Sequence, residues 1–361
     1  MPPLEAWERV LVDAEAVSTG VHASLSCTDC HGGEAVTDFV AAHTGLVRDP
    51  SEEPDNVCGQ CHIDIEADAS NSLHTTLAGY DTALYSRSTP ENHPALEEME
   101  ANHCNSCHAS CGQCHISQPT SVGGGLLEGH AVVAKPPMTR TCTGCHGSRI
   151  KDEYTGRNEG FPADVHFTQA RFSCVDCHTG DEMHGTDMDV THRYDGAREP
   201  VCEDCHADLD SGDGSMYHTI HGDKVQCQIC HSVDYKNCSG CHVQQSEEGV
   251  PYFEIDPSWM DFRIGVNPEP TEERPWEYIL LRHVPIDPES FAYYGDGLLP
   301  NFDNRPTWLP ATPHNIQRNT PQTETCDACH GNPDLFLTSD AVAPEELQAN
   351  QPVIVNELPT Q

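Results

Sequence analysis

The chain has 361 residues, room for two or three domains, yet Phe, Leu, Ile and Val together supply only 65 of them. Asp and Glu number 58 against 18 Lys and Arg, a net charge of −40, which disfavours nucleic acid and anionic membranes as partners. So few large apolar residues under so much charge is the composition of a disordered chain, but 20 cysteines and 23 histidines are not. Something other than aliphatic side chains has to fill the interior.

From the N-terminus, Glu5, Glu8, Asp13 and Glu15 accompany a single basic residue, Arg9. A basic region followed by an apolar stretch, the pattern of an export signal, is therefore missing from this end. The longest apolar stretch, Val122 to Ala134, is interrupted by Glu128 and His130, so no transmembrane segment is expected.

The cysteines follow one rule throughout: every one belongs to a Cys-x-x-Cys-His motif. In chain order these are Cys27, Cys30, His31; Cys58, Cys61, His62; Cys104, Cys107, His108; Cys111, Cys114, His115; and Cys142, Cys145, His146. Then come Cys174, Cys177, His178; Cys202, Cys205, His206; Cys227, Cys230, His231; Cys238, Cys241, His242; and Cys326, Cys329, His330. With histidine at the overall frequency of this chain, ten of ten by chance is on the order of 10⁻¹².

This spacing is the one that haem c requires. Two thiols three residues apart add to the two vinyl groups on one porphyrin edge, and the next histidine reaches the iron from one face. Zinc ribbons do not demand histidine after every knuckle, and a disulfide scaffold scatters its cysteines. The expectation is ten covalent haems, with iron, as the filling of the interior. The fold expected around them is mainly short α-helices and loops wrapped on a haem stack, with little β.

The motifs resemble those of multihaem c-type cytochromes. The stretch from CTGCHGSRIKDEYTG to CQICHSVDYKNCSGCH (Cys142 to His242) resembles most closely the octahaem tetrathionate-reductase-like cytochromes. That resemblance implies electron transfer along closely spaced haems, with other redox proteins or extracellular acceptors as partners and self-assembly into a conduit or filament as one form. It implies an exported chain, periplasmic or extracellular, here in a mature or truncated form. A second reading is a multihaem oxidoreductase of tetrathionate, nitrite or hydroxylamine type with one catalytic haem. No motif is Cys-x-x-Cys-Lys, the variant of the catalytic haem of pentahaem nitrite reductases.

Ten histidines lie in motifs. The other thirteen are His22, His43, His74, His93, His103, His130, His166, His184, His192, His218, His221, His283 and His314. They are enough for a second histidine on every iron with three to spare. An iron held by two histidines has no open position and suits electron transfer better than bond chemistry.

First cysteines are 31, 46, 7, 31, 32, 28, 25, 11 and 88 residues apart, an array of single-haem modules. Residues 1–242 read as a nine-haem array with halves at 1–125 and 126–242. Residues 243–325 form a haem-free segment rich in aromatics and proline. Residues 326–361 carry the tenth site and an extended tail. Within the haem-free segment, Glu277 to Ile286 reads as one strand, placed at a sheet edge by Pro285. The segment as a whole reads as an extended wrap that shields haem faces and carries His283 and His314 back to them; the second reading is a substrate pocket or subunit interface around Arg282 and His283. Asp208 to Gly214 is out of step with a calcium-binding loop, because Thr219 stands where a bidentate Glu belongs. It is read as a solvated acidic turn, and no Ca2+ is expected.

Overall fold

The fold was analysed in a computed structural model that describes residues 4–53, 57–105, 109–186, 188, 190, 199–207, 215–272 and 274–360. Asp208–Gly214, Cys107, His108 and His192 lie outside the described residues. Helix accounts for 37% and strand for 11%, so the chain is mostly short helices and loops, as its Gly- and Pro-rich sequence leads one to expect. No helix among the described residues is long and apolar enough to cross a membrane.

Two compact units divide the chain, and they interleave along the sequence, cutting across the divisions drawn from motif spacing. The first comprises Met1–Gly79, Cys107–Gly147 and Ser173–Ala197. Its helices are short, among them Ala14–Thr19, Phe39–His43 and Ile63–Ala69. None of the named strands falls in it. Of its apolar side chains among the described residues only Ala78, Leu127 and Val190 are buried, while Trp7, Val21, Phe39, Val40 and Ile63 are exposed.

The second unit comprises Tyr80–Ser106, Ser148–Phe172 and Arg198–Gln361. It holds seven strands: β1 (Tyr235–Lys236), β2 (Cys241–Gln245), β3 (Pro251–Ile255), β4 (Met260–Asp261), β5 (Arg263–Val266), β6 (Tyr278–His283) and β7 (Trp308–Pro310). β1 pairs with β4, β2 with β3, and β5, β6 and β7 form an antiparallel sheet in that order. Side chains alternate across a strand, and β6 is apolar on both faces. Ile279 and Leu281 join Trp308, Leu337, Val353 and Ile354 on one side. Leu280 joins Ile229, Phe262, Ile264 and Phe336 on the other.

That arrangement corrects the expected edge position of β6. The strand is central, and it ends at His283, two residues before Pro285, so the proline costs the ladder no hydrogen bond. The close pairing of β5 and β6 leaves no room for a side chain at Gly265, where an added Cβ would collide with Leu281. The tail after Gly331 is likewise not extended. Leu337 N–H bonds Ile264 O at 2.8 Å and Val355 N–H bonds Leu337 O at 2.9 Å, folding Phe336, Leu337, Val353, Ile354 and Val355 into the core.

Candidate haem-binding sites

Each motif begins as local structure. Eight of the nine fully described motifs lie on a single helical turn, such as Cys27–His31, Cys111–His115, Cys227–His231 and Cys326–Cys329. In five of them the motif histidine closes the turn, its N–H bonding the carbonyl of the first cysteine at 2.9 Å: His62, His146, His178, His206 and His330. Three turns carry their own start signal. Ser26 with Asp29, Ser110 with Gln113, and Ser173 with Asp176 form capping boxes around the first cysteine. The backbone bond from Ser26 and that from Ser173 also hold Asp29 and Asp176 below the usual carboxylate range.

Seven motif histidines stand ring to ring with a histidine from outside the motifs. The pairs are His31 with His130, His62 with His22, His115 with His184, His146 with His74, His206 with His166, His231 with His218, and His330 with His221. Their centroids are 5.8 to 6.2 Å apart. Two imidazoles bound through Nε2 to opposite faces of one metal ion, at about 2.0 Å each, hold their centroids roughly 6.3 Å apart. Among the described residues no such pair joins two motif histidines or two non-motif histidines. Each pair lies within one unit, four in the first and three in the second.

The hydrogen bonds fit the same role. A carbonyl can only accept, so a ring nitrogen facing one must carry the proton, which leaves the other nitrogen free as a ligand. Nδ1 of His31 faces Val47 O at 2.9 Å, that of His115 faces Val133 O at 2.6 Å, that of His221 faces Tyr217 O at 3.0 Å and that of His231 faces Gln317 O at 3.2 Å. His166 Nδ1 faces Asp164 Oδ1 at 3.1 Å. Burial lowers the pKa of His74 and His184 and so keeps the neutral imidazole that a metal ligand requires.

Other candidates are placed differently. His43 Nδ1 bonds Phe39 O at 2.7 Å. His93 stacks on Tyr85 at 4.2 Å, and His103 Nε2 bonds the Tyr294 hydroxyl at 3.0 Å. His283 lies between Trp259 and Trp308, with Nε2 at 2.9 and 3.0 Å from the Glu346 carboxylate. The backbone N–H of His314 bonds the buried Glu153, which also pairs with Arg282 at 3.6 Å. Among motif histidines, His178 donates Nδ1–H to Glu182 at 2.8 Å, and His242 Nε2 stands 4.0 Å from Asp287 Oδ2. Asp287 carries no signature in the sequence and was missed.

Sulfur atoms of different motifs also meet. Cys58 and Cys111 share a thiol hydrogen bond, as do Cys142 and Cys174, and Cys202 and Cys227. The bond pushes one thiol of each pair up and the other down, Cys111 and Cys142 to about 7. Cys202 and Cys227 also lie within 4.8 Å of a Glu203 oxygen. Each contact joins the first cysteines of two motifs, bringing corresponding positions of the motifs together.

No protein-family model, curated protein or solved structure matches this chain.

Proposed function

We propose that this chain is a ten-haem c-type cytochrome that passes electrons along haems held close together. The seven mixed histidine pairs carry this reading, because both their spacing and their composition are those of imidazoles on the two faces of one iron. Covalent haem would supply reversible one-electron chemistry in each site. The polypeptide's part is to attach, orient and crowd. Paired cysteines fix one porphyrin edge, paired histidines fix the faces, and the sulfur contacts set neighbouring edges against each other.

The pairs also explain how so polar a chain folds. His130 comes from beyond the fourth motif to serve the first, and His184 from beyond the sixth to serve the fourth. Each iron thereby ties together segments distant in sequence, so ligand binding contributes folding free energy. Haem c is attached outside the cytoplasmic membrane, which makes this an exported protein, periplasmic or extracellular. Its donors and acceptors are other redox proteins or extracellular acceptors, and the −40 charge favours a cationic one.

Protein from a host that attaches haem c tests the proposal. Ten haems per chain are expected in an alkaline pyridine assay, with mostly low-spin ferric resonances. His74→Ala should convert one low-spin haem and leave the total at ten. A colourless protein, or one loaded with zinc, would sink the reading.

A further inference from the structure

One described site departs from the others in three respects. First, the Cys238–His242 motif is not a helical turn. Cys238 N–H bonds His283 O at 3.0 Å, and Cys241 and His242 open strand β2, with His242 paired to Glu254. Second, the chain from His283 to Ser290 runs alongside this motif and is bonded to it at both ends, Val243 N–H reaching Ser290 O at 2.9 Å. That register brings Asp287 opposite His242.

Third, Asp287 is held ready. Its Oδ1 accepts Glu289 N–H at 2.7 Å and its carbonyl accepts Ser290 N–H at 3.0 Å, which turns Oδ2 to His242 Nε2 at 4.0 Å. The gap is too long for a hydrogen bond, and it equals two metal–ligand bonds of about 2 Å each. Among the described residues no histidine ring faces His242. The Asp287 side chain is 49% exposed, so the site opens to solvent.

Resting on the ten-haem reading, we propose that the Asp287 carboxylate, instead of a histidine, faces the iron at the Cys238–His242 site and yields its place to a small exogenous ligand. A carboxylate oxygen is a weaker-field donor than imidazole and exchanges more readily. The chain thus holds a solvent-open ligand-binding site on its electron path, taking small nitrogen- or oxygen-donor molecules.

The test compares the intact holoprotein with Asp287→His and Asp287→Asn, using azide as the probe and paramagnetic resonance as the readout. The wild type should show a high-spin ferric component and bind azide. Asp287→His should lose one high-spin iron and one azide site per chain, with the haem count unchanged. Asp287→Asn should keep both features and bind azide more tightly, which guards against a folding artefact. A fully low-spin wild type, or a high-spin component untouched by Asp287→His, overturns the inference. So does a low-spin signal lost on dilution, which would assign the ligand to a second copy. In each of those outcomes ten haems per chain leave the electron-transfer reading standing, whereas haem-free protein fails both.

Discussion

In the first unit Trp7 is 64% exposed, Phe39 74% and Val21 83%, and its segments are joined by histidine pairs and sulfur contacts. In the second unit Leu280 is 0% exposed and Ile279 and Leu281 1% each, inside a sheet packed on both faces by aliphatic and aromatic side chains. Both units carry Cys-x-x-Cys-His motifs, but only the second also buries a conventional core. On the proposed function, the exposed apolar side chains of the first unit are those that pack against porphyrin. On the same proposal, metal–ligand bonds and porphyrin faces would replace oily side chains there and help the chain tolerate its −40 charge. On that proposal one chain holds a region whose fold depends on a cofactor beside another whose fold has its own hydrophobic driving force.

The largest expected effect breaks that comparison directly. Protein made without haem attachment should lose amide protection throughout the helices of the first unit, while β5, β6 and β7 keep theirs. Hydrogen exchange followed by mass spectrometry reads this segment by segment. Equal protection in both units would mean that the first has a polypeptide core after all.

Next comes the buried ion pair beneath the sheet. Glu153 is 1% exposed and accepts His314 N–H at 3.1 Å, and the Arg282 guanidinium sits 5.1 Å over the Tyr235 ring. Burial raises the Glu153 pKa, and the positive charge of Arg282 is the largest effect opposing it. Arg282→Met strands that carboxylate and should cost about 3–5 kcal/mol in denaturant unfolding of the second unit. Arg282→Met combined with Glu153→Gln should recover much of the loss. If the double variant is no better than the single one, the pair is not what holds this corner.

A third prediction sharpens the contrast at single apolar residues. Leu280→Ala should cost about 2–5 kcal/mol, because it empties a filled position between two layers. Phe39→Ala, in haem-free protein, should change stability by less than about 0.5 kcal/mol. The same Phe39 substitution in holoprotein tests whether porphyrin covers that side chain, since a cost appears only if it does.

Much of the first unit was legible in the sequence, because its organising chemistry is written in short motifs. The spacing of cysteine and histidine marks each motif, and four of the seven histidine pairs fall in this unit. Which histidine meets which was not legible, since the pairing joins residues tens of positions apart and follows from the path of the whole chain. The β core was read only in part. Glu277 to Ile286 reads as a strand and Tyr278–His283 forms one, but the proline at 285 hides its central place. The tail's Phe336, Leu337, Val353 and Ile354 gain their role only from a sheet formed elsewhere. Asp287 was invisible for the same reason, since its meaning comes from a register and not from a pattern.

The smallest effect is a pH dependence confined to the second unit. Glu100, on the helix His93–His103, is 9% exposed, and burial, reinforced by Asp81 and Glu97, pushes its pKa up to about 7. The Tyr85 hydroxyl bonds this carboxyl and opposes the rise, while burial pushes Tyr85 itself up to about 12. In the unfolded chain Glu100 titrates in the ordinary carboxylate range, so between that range and about 7 the folded state binds the extra proton. Stability from this residue is therefore fully present at low pH and is lost as pH rises through about 7, by on the order of 1–2 kcal/mol in total. Urea unfolding of the second unit at pH 5 and pH 8 should show a fall that Glu100→Gln flattens. The unfolding of the first unit should not respond to that substitution, and a matching response there would show that the two regions do not unfold independently.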